Sequence, residues 1–263
     1  MKNLDNLINK ALQLHKERKL QDAINLYYDV LENKKNDPQL LFLIGTAYIQ
    51  QGKIEKGIQE LKKSIYLKPE NLFAHSNLGN ALKDLKRYDE AIESYDKALR
   101  INPNYADAYN NLGNAQKNIG EMDNALKNYE LAIKHQPEHA DAYYNRAIIQ
   151  TELGEIKTAI ENYRHALKYD HRHTGAHINL GNILMGQAEF ESAISHYQHA
   201  VKIEPNSYLG HYNLGNALSK HGSFSSAIDC YRKSLSLKGN FPDCLSNLGV
   251  LLNDMGQLDE AIK

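Results

Sequence analysis

The sequence predicts an all-α protein, a solenoid of antiparallel helix pairs. Three observations predict it. Pro69, Pro103 and Pro137 stand 34 residues apart, and two further steps reach His171 and Pro205. A glycine keeps the same step at Gly45, Gly79, Gly113, Gly181, Gly215 and Gly249, with Ala147 filling the one gap. Between these landmarks apolar residues recur three and four apart, as on one face of a helix.

An alanine series (Ala23, Ala91, Ala125, Ala159, Ala193, Ala227, Ala261) and a tyrosine series (Tyr27, Tyr95, Tyr129, Tyr163, Tyr197, Tyr231) hold the same phase. Framed by these landmarks, repeats begin at Leu4, Pro38, Leu72, Ala106, Ala140, Thr174, Tyr208 and Pro242. They make a single solenoid over residues 1–263, the eighth repeat being cut short at Lys263. The first repeat is worn, with Lys10 where leucine is expected, which suits a capping unit. The third shows the plan. Ala74, Leu78, Ala81, Leu82 and Leu85 mark one helix; Tyr88, Ala91, Ile92, Tyr95, Ala98 and Leu99 mark a second. A polar turn at Lys86–Arg87 joins them, and Pro103 blocks further helix. Elsewhere the turn carries Gly52, Gly120, Gly154, Gly222 or Gly256, suited to ending a helix. Gly79 and Ala91, and their equivalents, lie on buried sides and let helix axes approach. The Tyr95 series fills space between neighbouring units. The fifth repeat departs from the plan, with Arg146 for leucine, Ala147 for glycine and His171 for proline. It is the expected soft spot. In the eighth, Cys244 takes a small core position held elsewhere by alanine.

The 263 residues are 42% hydrophobic with a net charge of −1, so no basic field attracts nucleic acid or anionic lipid. No apolar run approaches the roughly 20 residues of a membrane span. Two cysteines, Cys230 and Cys244, form no disulfide framework and fit a reducing, cytoplasmic setting. No phosphate loop or nucleophile–base pair stands out, so neither an enzyme nor a cofactor is expected. The cluster His171, His173 and His177 has the residue type of a zinc site, but His177 takes a packing slot shared with Tyr109, Tyr143, His75 and His211. No metal is expected there.

The pattern resembles the tetratricopeptide repeat along essentially the whole chain. Tyr109, Leu112, Gly113, Ala125, Tyr129, Ala132 and Pro137 match that family's motif in one repeat. The resemblance implies a right-handed α-solenoid (superhelix) of 34-residue repeats, with the first helix of each lining a concave wall.

Packing explains the glycines but not the asparagines. Asn77, Asn111, Asn145, Asn179, Asn213 and Asn247 occupy the sixth position; Asn80, Asn114, Asn182 and Asn216 occupy the ninth. Three apart, the two series share a helix face. By the resemblance they form a ladder up the concave wall. A carboxamide both donates and accepts, so such a row suits the main chain of an extended peptide. Specificity then falls to Asp107, Asp141 and Asp243 at the second position and Tyr144 and Tyr212 at the fifth. The alternative is that the amides cap or bridge between units and touch no ligand.

The ladder is similar to the superhelix preceding the catalytic domain of O-linked N-acetylglucosamine transferases. The family's carboxylate clamp needs cations that are missing: the fifth positions read Ser76, Asn110, Tyr144, Ile178 and Tyr212. The expected role is a scaffold for other proteins or peptide segments, without nucleic acid or membrane insertion. The alternatives are the substrate-recruiting arm of such a transferase, or a homo-oligomer formed through the truncated C-terminal repeat.

Overall fold

The computed structural model describes residues 2–257. These residues form fifteen α-helices and no strand, in two compact units that part between Pro137 and Glu138. The first unit holds α1 (Lys2–Lys16), α2 (Leu20–Asn33), α3 (Pro38–Gln50), α4 (Ile54–Leu67), α5 (Leu72–Asp84), α6 (Tyr88–Ile101), α7 (Ala106–Asn118) and α8 (Met122–His135). The second holds α9 (Ala140–Glu152), α10 (Ile156–Tyr169), α11 (Thr174–Gly186), α12 (Phe190–Ile203), α13 (Tyr208–Lys220), α14 (Phe224–Leu237) and α15 (Pro242–Asp254). Each complete pair packs as a hairpin. Within a unit, the second helix of one pair lies against the first of the next, as in an α-solenoid. From α3 onward, every first helix starts on the residue that the 34-residue frame marks. Ala261, and the second helix that the eighth repeat was expected to begin, lie outside the described residues.

The turn inside each repeat has one conformation whatever its residue. Gly52, Gly120, Gly154, Gly222 and Gly256 have φ between 74 and 87°, and Arg18, Lys86 and Ala188 take φ near 60° at the same position. The hairpin geometry imposes the left-handed residue, and glycine merely adopts it with less strain. Proline is equally dispensable at the other end. The helix α10 stops at Tyr169 before His171, just as α6 stops at Ile101 before Pro103. The residue before a repeat often caps the new helix. Asp37, Asn71, His139, His173 and Ser207 each accept a backbone N–H of the first turn.

The conserved phase of glycine and tyrosine has a direct cause. A Cβ on Gly79 would lie 2.6 Å from the Tyr95 ring; on Gly113, Gly181 and Gly215 it would lie 2.7 Å from Tyr129, Tyr197 and Tyr231. The glycine therefore makes room for the tyrosine of its own repeat. In repeat three the same ring joins a buried cluster with Leu112 and Ala115 of the next repeat, so it also fills the junction between units.

Candidate functional site: the asparagine face

Each ninth-position asparagine is held by the tyrosine that lies on its neighbouring glycine. The hydroxyls of Tyr95, Tyr129, Tyr197 and Tyr231 donate to Oδ1 of Asn80, Asn114, Asn182 and Asn216 at 2.7–2.8 Å. Burial pushes the Tyr95 and Tyr197 hydroxyls well above the usual range and Tyr231 up to about 12, so they stay protonated donors at neutral pH. With Oδ1 taken, the remaining polar atom of each amide is Nδ2, which carries two donors.

The sixth-position asparagines use the opposite atom. Asn77 Nδ2 donates to Thr46 Oγ1 of the preceding repeat at 3.3 Å. Asn179 Nδ2 donates to the Tyr163 hydroxyl at 3.3 Å and the Tyr144 hydroxyl at 3.5 Å. Asn247 Nδ2 donates to Asn216 Oδ1 at 2.9 Å and the Tyr212 hydroxyl at 3.2 Å. Their Oδ1 atoms remain as acceptors. Asn111 and Asn213 make no such bond among the described residues. Asn145 on α9 is half-buried, as are the other asparagines of both series except Asn182, which is exposed. The bridging role weighed as the alternative to ligand binding is thus present, and it uses one end of each bridging amide.

Tyr144 and Tyr212 belong to the same bridges. The Tyr144 ring lies 4.2 Å from the His173 ring and Tyr212 lies 4.8 Å from Phe241. His173 Nδ1 accepts the Ala176 N–H, so its Nε2–H is left to donate to Asp141, 3.4 Å away. That contact holds the Asp141 carboxyl below its ordinary range. Asp107 and Asp243 are exposed. The sequence reading missed Thr46 and the alternating use of Oδ1 and Nδ2; the fixed spacing from Tyr95 to Asn80 in four repeats was the available signal.

The other singled-out residues have structural partners. Arg146 donates to the buried Asn162 and lies over the Tyr143 ring. His177 Nε2 donates to the His171 carbonyl at 3.2 Å, the bond that His75 and His211 make to Pro69 and Pro205. His177 Nδ1 then accepts from His196 Nδ1 at 3.0 Å. No group of three or more metal-ligating side chains is placed to hold an ion among the described residues. Burial raises the Cys230 thiol to about 11, which leaves it protonated and unreactive at neutral pH. None of the described helices is long and apolar enough to cross a membrane.

Family models described as TPR repeat or tetratricopeptide repeat match residues 79–120 and 181–222, 106–139 and 208–241, and 128–161. Together they span more than half of the chain. A model for anaphase-promoting complex, cyclosome, subunit 3 matches residues 16–98. A curated relative, the anaphase-promoting complex subunit CDC16 of Saccharomyces cerevisiae, is 38% identical over 72 residues, 26% of this chain. The matched stretch spans only 9% of that relative's length. Among solved structures, the crystal structure of MamA is 27% identical with a TM-score of 0.57, covering 62% of this chain and 95% of its own. YrrB, a TPR protein with an unusual peptide-binding site, is 21% identical with a TM-score of 0.56, covering 71% of this chain and 96% of its own.

Proposed function

The chain belongs to the tetratricopeptide repeat family, a family of protein-interaction scaffolds, and from that premise we propose that it binds extended segments of other proteins along its asparagine face. One observation carries the reading. Internal hydrogen bonds use opposite ends of the two asparagine series, leaving Nδ2 donors at the ninth positions and Oδ1 acceptors at the sixth. An extended main chain presents carbonyls and N–H groups alternately, so the two series answer both. Contacts of this kind contribute about 1 kcal/mol each and depend little on the guest's side chains. The local likeness to a subunit of a multiprotein complex agrees with such a scaffold.

The test uses Asn111→Ala and Asn213→Ala together, because these two amides support no neighbouring repeat. Binding of a degenerate pool of acetylated, amidated dodecapeptides is followed by fluorescence polarisation. At about 1 kcal/mol per contact, a guest that loses one of these amides should be held roughly fivefold more weakly, while circular dichroism and melting stay unchanged. Undiminished capture by the folded double variant would remove the ladder from the mechanism.

A further inference from the structure

The ninth-position series is interrupted in repeat five, where Ile148 replaces asparagine. A cavity of about 300 Å³ lies at that break, and its lining includes Ile148, Glu152, Tyr163, Asn179, Asn182 and Ile183. We propose that this cavity is a side-chain subsite for a lysine or arginine of the bound segment. The proposal rests on the peptide-binding reading above and adds the chemistry of one guest residue.

The lining has the two parts such a side chain requires. Ile148 and Ile183 are half-buried apolar walls, suited to an aliphatic stem. Glu152 is exposed and has no ion pair among the described residues. The matching position of the next repeat is Gly186, where an added Cβ would meet no atom within 4 Å. No side chain of that repeat therefore stands at this position to neutralise the carboxylate. Glu152 also acts on Tyr163, whose hydroxyl is raised by burial first and by this carboxylate as well. Asn179 and Asn182 border the cavity, so a main chain held by those amides delivers its side chain into the break. An acidic guest residue would meet Glu152 with like charge, and a purely apolar one would leave the carboxylate unpaired.

Four pools of acetylated, amidated nonapeptides test this, with lysine, norleucine, glutamate or glycine fixed at the centre. The other eight positions are degenerate and exclude lysine, arginine and histidine, so that the only cation stands at the centre of the peptide. With the full chain, the lysine pool should bind about fivefold more tightly than the norleucine pool, and glutamate most weakly. Glu152→Gln should erase the lysine advantage and leave the glycine pool unchanged; Glu152→Lys should shift preference to glutamate. Equal binding of all pools, a norleucine preference, or a lysine preference that survives Glu152→Gln overturns the subsite while the ladder stands. If no pool binds, the peptide-binding reading falls and the subsite falls with it.

Discussion

Repeat three and repeat five have the same helix lengths and the same turn, yet their interiors differ. In repeat three the Tyr95 ring lies on Gly79 and its hydroxyl closes on Asn80 at 2.7 Å. In repeat five Ala147 and Ile148 take the places of that glycine and asparagine. The Tyr163 hydroxyl instead reaches Thr151 at 3.4 Å and Asn179 of the next repeat at 3.3 Å. Arg146 and Asn162 add a polar pair where the motif has leucine, and Arg146 Nε stays buried without a partner. The two repeats show that backbone geometry tolerates a changed interior. What changes is which repeat receives the tyrosine hydroxyl, and whether the face carries an amide or an apolar break.

The largest effect should come from exchanging the small residues. Gly79→Ala places a methyl 2.6 Å from the Tyr95 ring and should destabilise the first unit by about 2–3 kcal/mol in urea unfolding. Ala147→Gly in repeat five should cost only about 1 kcal/mol, the helix-propensity term. If both cost the same, the close approach of glycine and tyrosine is not what fixes the glycine.

Acid should next separate the second unit's repeat six from its neighbours. Burial, followed by the charges of His177, His199 and Arg164, lowers His196 to about 4, and burial also lowers His177. An unfolded histidine titrates near 6.5, so between that pH and about 4 the unfolded chain binds more protons than the folded one. Stability is therefore present above pH 6.5 and should fall by about 1–2 kcal/mol as the pH drops to 4, allowing for partial exposure. Protonating His177 Nδ1 would also set two N–H groups against each other at 3.0 Å. His196→Asn, the residue type of Asn128 and Asn162 at that position, should flatten this part of the pH–stability curve. An unchanged acid limb would refute the assignment.

The hydroxyls give a smaller contrast. Tyr95→Phe should cost about 1 kcal/mol by losing a short bond that also orients Asn80, whereas Tyr163→Phe should cost less, since its bonds are long and shared. Equal losses in thermal unfolding would erase the distinction between the repeats. Smallest of all, Lys86→Gly and Ala188→Gly should each stabilise by about 0.5 kcal/mol, because both residues sit at φ 60°. A loss of stability would show that the turn does not strain a side chain.

Much of the fold was legible in the sequence. The spacing of Pro69, Pro103 and Pro137 and the Gly79 series placed every first helix from Pro38 onward on its observed first residue. Helix periodicity and turn chemistry act over a few residues, so single-chain reading recovers them. The candidate site was legible as a set of residues but not as a set of atoms. The sequence grouped Asn77 with Asn80 on one face. It gave no sign that one spends Nδ2 on Thr46 while the other spends Oδ1 on Tyr95.

By itself, then, the sequence determined the repeat length, the helix pairs, their turns and the residues of the polar face, because each follows from contacts within about one repeat. Only the tertiary structure decided which end of each amide is used internally, that Tyr144 and Tyr212 bridge to the next repeat, and that Ile148 lies beside a cavity with Glu152 at its lining. Those outcomes depend on side chains from different helices meeting at hydrogen-bond distance, and periodicity along one chain carries no information about that meeting.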